Sequence, residues 1–173
     1  MRVRGILVAP FILCALCASR LEAQTSSPDA AVYTAVLRHA DSASNEPDLV
    51  FDSTSTARVS GSRATPARTG AFWDAVPKEV QSQFVSLNHT TQSLRGLALP
   101  ARVRLISLAE WREHLQNDAH AGVIDIGSVA ALSRIAYTAD STGALVQVAW
   151  PCDGPCGQAK YYWLRRGSSG EWA

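Results

Sequence analysis

Two cysteines in Cys152-Asp153-Gly154-Pro155-Cys156 stand closest to a recognisable chemistry. Gly154 and Pro155 favour a chain reversal. Such a reversal can bring two Cα atoms within the ~4.4–6.8 Å that a disulfide needs. The ring is small, so the expected contribution is a hairpin staple of about 2 kcal/mol. A redox dithiol has two intervening residues at a helix N-terminus, where the dipole lowers the thiol pKa. Here there are three, Asp153, Gly154 and Pro155, between strand-like flanks. Cys152 and Cys156 are therefore expected to form a structural disulfide, with free thiols, redox chemistry and metal binding as the rivals.

Other groups are more weakly patterned. Glu110 and His114 are four apart, with Glu113 adjacent and His120 six further on. That spacing can join one carboxylate and one imidazole on a helix, but a metal site needs three or four ligands, and no His-Glu-x-x-His order occurs. No metal is expected. Gly127-Ser128-Val129-Ala130-Ala131 lacks the second glycine of a nucleophile elbow. A P-loop and a dinucleotide glycine fingerprint are both missing, so no cofactor is expected. The weak catalytic candidates are His114 and Asp125, either of which burial would tune into a general base. Tyr161-Tyr162-Trp163 followed by Arg165-Arg166 suggests single-stranded nucleic acid. Strand alternation would divide those aromatics between two faces, and no nucleic-acid partner is expected. The five tryptophans, Trp73, Trp111, Trp150, Trp163 and Trp172, read as core or groove residues. Asn88-His89-Thr90 matches a glycosylation sequon, which has meaning only in a cell that glycosylates.

The elements that must position these groups follow from periodicity and turn chemistry. Ser27-Pro28-Asp29 reads as a helix start, with a capping hydroxyl, a first-turn proline and an acid at the positive end of the dipole. Val32, Val36 and Ala40 form one stripe of that helix, which is expected to run to about Ala43. Leu49-Val50-Phe51 begins a strand. The stretch 57–70 is mostly Ser, Arg, Thr, Gly and Pro, with Val59 and three alanines as its apolar residues, and it reads as a flexible loop. Val80, Phe84 and Leu87 mark a second helix that starts near Val76-Pro77. Residues 103–108 alternate as a strand, and 109–117 form a short helix presenting Trp111 and Leu115. Strands at 132–138, 144–150 and 159–166, joined by turn residues, suggest a C-terminal antiparallel meander of three to four strands. The expected fold class is α+β, with helices packed on that meander.

Composition suits a folded chain: 173 residues, 47% hydrophobic and 8% aromatic, which is too apolar for a wholly disordered polymer. Arg2 and Arg4 precede an apolar run from Ile6 to Ala18 that has no charge until Arg20. This run is shorter than the roughly 20 residues a spanning helix needs, and it matches a signal-peptide core. Cleavage is expected after Ala23, with Ala18 and Ser19 as alternatives, leaving residues 24–173 as one α+β domain with no membrane span. Cleavage removes Arg2, Arg4, Arg20 and Glu22, so sixteen basic and fifteen acidic side chains become thirteen and fourteen, a net charge of −1. It also removes Cys14 and Cys17. The remaining pair fits an oxidising, secreted or periplasmic compartment.

Further residues carry a resemblance. Leu132-Ser133-Arg134-Ile135-Ala136-Tyr137, Gly143-Ala144-Leu145-Val146-Gln147-Val148, Cys152, Cys156-Gly157, Tyr161 to Leu164 and Gly170-Glu171-Trp172 together resemble a pattern in uncharacterised exported bacterial proteins. There a Ser-Arg-Val-Gly-Phe strand precedes an Ala-Leu-Val-Tyr-Val strand, a Cys-Gly hairpin, an aromatic strand and a final Gly-x-Trp. Val80 to Leu94 and Leu105-Ile106-Ser107 before Glu110 resemble its upstream part. This chain departs from the pattern at Ala136 and Tyr137, where the pattern has Gly and Phe. The resemblance implies export and an architecture, and it implies no activity. The meander is also similar to nuclear-transport-factor-like and cystatin-like folds, by analogy alone.

These readings lead to an exported, non-catalytic binding or envelope-associated module of unknown ligand. The alternative is a small hydrolase- or isomerase-like enzyme with a pocket between sheet and helices.

Overall fold

A computed structural model of the chain describes residues 27–40, 48–55, 70–121, 129–150 and 158–173. The expected signal peptide at 1–23, all but the last residue of the loop at 57–70, Asp125, Cys152 and Cys156 lie outside the described residues.

The described chain runs α1 (Pro28–Ala40), β1 (Asp48–Phe51), α2 (Ala71–Ala75), α3 (Lys78–Leu87), β2 (Val103–Ile106), α4 (Leu108–Ala121), β3 (Val129–Leu132), β4 (Ala136–Tyr137), β5 (Gly143–Trp150) and β6 (Gln158–Arg165). Six strands form one mixed sheet. β1 lies between β2 and β3 and is parallel to both, with Val50 opposite Leu105 on one side and Ala130 on the other. β5 is antiparallel to β3 and β4 along one edge and to all of β6 along the other.

The α+β class therefore stands, while the antiparallel meander needs correction. β3, β4, β5 and β6 pair antiparallel, but β3 also pairs parallel with β1, so the sheet is mixed and not a simple C-terminal meander. The physical reason lies in β1. Val50 is buried on one face and Phe51 on the other, so this short strand is covered on both sides, as parallel strands are. Connections through α2–α3 and α4 supply the long crossovers that parallel pairing requires.

Apolar residues sort by sheet face. On one face, Val32, Val36 and Leu37 of α1 pack on Val50, Leu132, Val146, Val148 and Leu164. On the other, Val80 and Phe84 of α3 pack with Trp73 of α2 on Ala136 and Leu145. Farther along that second face, Trp111 of α4 meets Phe51 edge-on, with ring centroids 5.4 Å apart. β5 is buried from Gly143 to Ala149, which explains its nearly unbroken apolar run.

β3 and β4 are two halves of one broken strand. Leu132 pairs with Val148, but Ala136 pairs with Leu145, so Arg134 and Ile135 together oppose Val146. This is a β-bulge. It switches the phase of the alternation: Leu132 and Tyr137 share the α1 face, while Ala136 faces α3. The continuous strand expected over 132–138 is corrected accordingly. The chain end adds a short return pairing, in which the Arg165 and Ala173 backbones exchange hydrogen bonds of 2.7 and 3.0 Å. No helix among the described residues is long and apolar enough to cross a membrane.

Candidate binding surface

The bulge is a densely bonded polar centre, and its chemistry is architectural. The Ser133 N–H donates to the Gln147 carbonyl at 2.9 Å, as in an ordinary ladder. The returning Gln147 N–H goes instead to the Ser133 hydroxyl, at 2.8 Å. That substitution frees the Ser133 carbonyl, which accepts the Tyr33 hydroxyl from α1 at 2.9 Å. On the other face, the Asn88 amide at the end of α3 bonds both the N–H and the carbonyl of Arg134. The Arg134 guanidinium reaches back to the Leu87 carbonyl and the Thr90 hydroxyl. Both helical layers are thus tied to one kink.

Beside this centre, the Tyr137 hydroxyl donates to Asp29 at 2.8 Å. Burial pushes the Tyr137 phenol well above its usual range, and its hydrogen bond to the Asp29 carboxylate adds to the shift. Burial likewise raises Tyr33, with the charge of Asp29 adding to it and that of Arg134 opposing it. Both rings stay neutral and donate, so neither serves as a base near neutral pH.

Of the two weak catalytic candidates, His114 falls among the described residues and Asp125 lies outside them. His114 is exposed on α4, and Glu113 is exposed beside it. Glu110 closes a capping box: its carboxylate accepts the Ser107 N–H at 2.6 Å, and its own N–H donates to the Ser107 hydroxyl at 3.1 Å. The Ser107 N–H, and after it the Ser107 hydroxyl, hold the Glu110 carboxyl below the usual range. No group of three His, Cys, Asp or Glu side chains with metal-binding geometry occurs among the described residues. Asn88 of the sequon is buried, and its amide is engaged in the bulge. The sequence reading missed the bulge centre. Its signal was the broken alternation of Leu132-Ser133-Arg134-Ile135, with apolar residues three apart.

The aromatic residues mark a surface on the β6 side of the sheet. The tryptophans divide between faces, with Trp73, Trp111 and Trp163 on the α3–α4 side and Trp150 and Trp172 on the α1 side. Tyr161 of β6 meets Trp73 at 4.8 Å between centroids, and Phe72, 37% exposed, extends the cluster outward. On β6 the cations stand over indoles: Lys160 lies 5.7 Å from the Trp150 ring centroid, and Arg165 lies 5.4 Å from that of Trp163. The Trp163 indole N–H is buried without an acceptor among the described residues. Aromatic rings with basic groups held over them are a surface composition suited to recognition.

No known family model, curated protein or solved structure matches this chain.

Proposed function

We propose that the protein is an exported, non-catalytic module that binds a component of the cell envelope through the aromatic and basic β6 side of its sheet. One observation carries the reading. Four buried polar side chains, Thr54, Gln81, Asn88 and Ser133, hold backbone groups in place: Gln81 donates to the Trp73 and Val76 carbonyls, and Thr54 accepts the Gln92 N–H. Polar groups used in this way build a scaffold, and the scaffold presents Phe72, Lys160 and Arg165 outward. Export rests on the order of charge, apolar run and small residues at 1–23, and on the Cys152–Cys156 pair.

Two measurements test this. The first is intact mass of the mature protein, with alkylation before and after reduction. A chain beginning at Gln24 whose cysteines alkylate only after reduction is the expected result; a cytosolic chain retaining Met1 overturns export. The second is sedimentation with envelope fragments of the producing cell. The mature protein pellets with them, and Phe72→Ser leaves more of it in the supernatant. Turnover of a small ester, amide or sugar substrate by a protein that never pellets would establish the enzymatic alternative instead.

A further inference from the structure

We infer that the sheet face covered by α3 and α4 holds a small-ligand site at Gln147, and that its occupant is a neutral acetamido group. This goes beyond the binding surface above and does not depend on export. Gln147 lies on β5 between Val146 and Val148, which face α1, so its side chain belongs to the opposite face. Apolar packing on that face is split. Leu145 belongs to the cluster under α2 and α3, and Ala149 to the one under α4. Gln147 stands between the two. Its amide is the anomaly. The residue is 8% exposed, yet among the described residues only its backbone N–H and carbonyl are hydrogen-bonded, both to Ser133. Thr54, Gln81, Asn88 and Ser133, also buried, all use their side chains to hold backbone groups. Leaving a nearly buried amide unpaired is costly. The Gln147 amide is not sealed either, because the Trp163 indole N–H is the one side-chain polar group among the described residues that is both unpaired and cut off from water. A nearly buried amide that still meets water marks the bottom of a narrow crevice.

Size and bonding select the occupant. The floor beside Gln147 is small and apolar, with Ala149 two residues along β5 and Ala131 paired with Ala149 on β3. The amide itself offers an N–H donor and a carbonyl acceptor. A planar group that carries a carbonyl and ends in a methyl suits both features. Its carbonyl accepts from the Gln147 Nε2–H, its methyl rests on the alanines, and a neighbouring N–H or hydroxyl of the ligand donates to Oε1. The residues beside Gln147 on the sheet, Ala131, Ser133, Leu145 and Ala149, carry no charge. A neutral group therefore enters at a lower desolvation cost than a carboxylate or an ammonium.

The probes are N-acetylglucosamine and N-acetylalanine amide, two sources of the same group, with glucose as the control that lacks it. Each is titrated to millimolar concentration against the isotope-labelled protein while the side-chain N–H resonances of Gln147 are followed. The acetamido compounds shift those resonances and glucose does not; the tighter of the two names the source. Gln147→Met conserves volume and removes the unpaired amide, so the variant melts no lower than the parent. Its affinity for the acetamido compounds falls by about tenfold or more. An unresponsive Gln147, with water alone in the crevice, would overturn the inference. So would an equal response to glucose, or binding that survives Gln147→Met. A Gln147→Met protein that melts well below the parent would make the amide a structural group, and the site would be struck out.

Discussion

The Asn88 side chain accepts the Arg134 N–H at 2.7 Å and donates to the Arg134 carbonyl at 3.2 Å, so one amide at the end of α3 holds both backbone groups of a residue in the bulge. It also donates to the Phe84 carbonyl at 2.9 Å, closing its own helix. The bulge sets which residues of β4 face which helix, and Asn88 is therefore a register device as well as a helix cap.

Asn88→Ala should destabilise the fold by about 1–3 kcal/mol, since it leaves the part-buried Arg134 N–H without its acceptor and takes one donor each from the Phe84 and Arg134 carbonyls. Asn88→Asp keeps the acceptor but turns a donor into a second acceptor facing two carbonyls, so it should not rescue. Urea denaturation measures both. A loss for Asn88→Ala below about 0.5 kcal/mol, the size of an ordinary surface change, would remove the role assigned here.

Much of the helical framework was legible because Val32, Val36, Val80 and Phe84 recur with helical spacing and each is buried. The Ser27-Pro28-Asp29 start likewise leads into α1 at Pro28. Sheet order was not legible. Whether a four-residue strand such as β1 (Asp48–Phe51) pairs parallel or antiparallel depends on crossovers far along the chain, which local alternation does not encode. The bulge escaped for a related reason: the successive polar residues Ser133 and Arg134 break the alternation, but their distant partners Tyr33 and Asn88, which hold the kink, are not encoded locally. His114 and Glu110 were singled out by type and spacing, but Glu110 serves as a cap and His114 faces outward.

Alkaline pH should unfold the protein through Tyr33 and Tyr137. Both phenols are raised in the fold above the usual value near 10. Their contribution is complete while the unfolded phenols are also protonated, below about pH 10. It falls as the pH rises further, because the unfolded chain then releases protons that the folded chain keeps. For buried Tyr33 the slope approaches about 1.4 kcal/mol per pH unit. Tyr33→Phe should cost about 1 kcal/mol at neutral pH, by loss of the bond to Ser133, and should flatten the alkaline limb. Denaturation midpoints from pH 8 to 12 would show this, and an unchanged limb in Tyr33→Phe would refute it.

The acid limb should carry Glu110 and Asp140. The Thr138 hydroxyl and the Thr142 N–H and hydroxyl hold the Asp140 carboxyl low, as the Ser107 N–H holds Glu110. Depressed carboxyls support the fold above their unfolded values near 4, and that support disappears as the pH falls through the lower folded values. Glu110→Gln should therefore weaken the dependence of stability on pH below 4. Ser107→Ala should cost about 1 kcal/mol at neutral pH through loss of the cap. Thermal melts at neutral and acid pH separate the two effects.

Gly143 and Trp163 should prove energetically coupled. A Cβ on Gly143 would overlap the edge of the Trp163 ring, and it would lie 2.9 Å from the Thr138 methyl. Gly143 pairs with Arg165 on β6, two residues from Trp163, and its N–H is held by the Thr138 hydroxyl at 2.8 Å, so the backbone has little freedom to retreat. The ring must move instead, and overpacking of this kind costs about 1–3 kcal/mol. Trp163→Leu frees the space and removes a buried indole N–H that has no acceptor among the described residues. The added methyl of Gly143→Ala should then be tolerated better in that background, giving a double-mutant coupling of about 1 kcal/mol or more. Unfolding free energies of the four proteins measure it. Strict additivity would mean that Trp163 does not lie over Gly143, and the orientation of the β6 aromatic face would have to be redrawn.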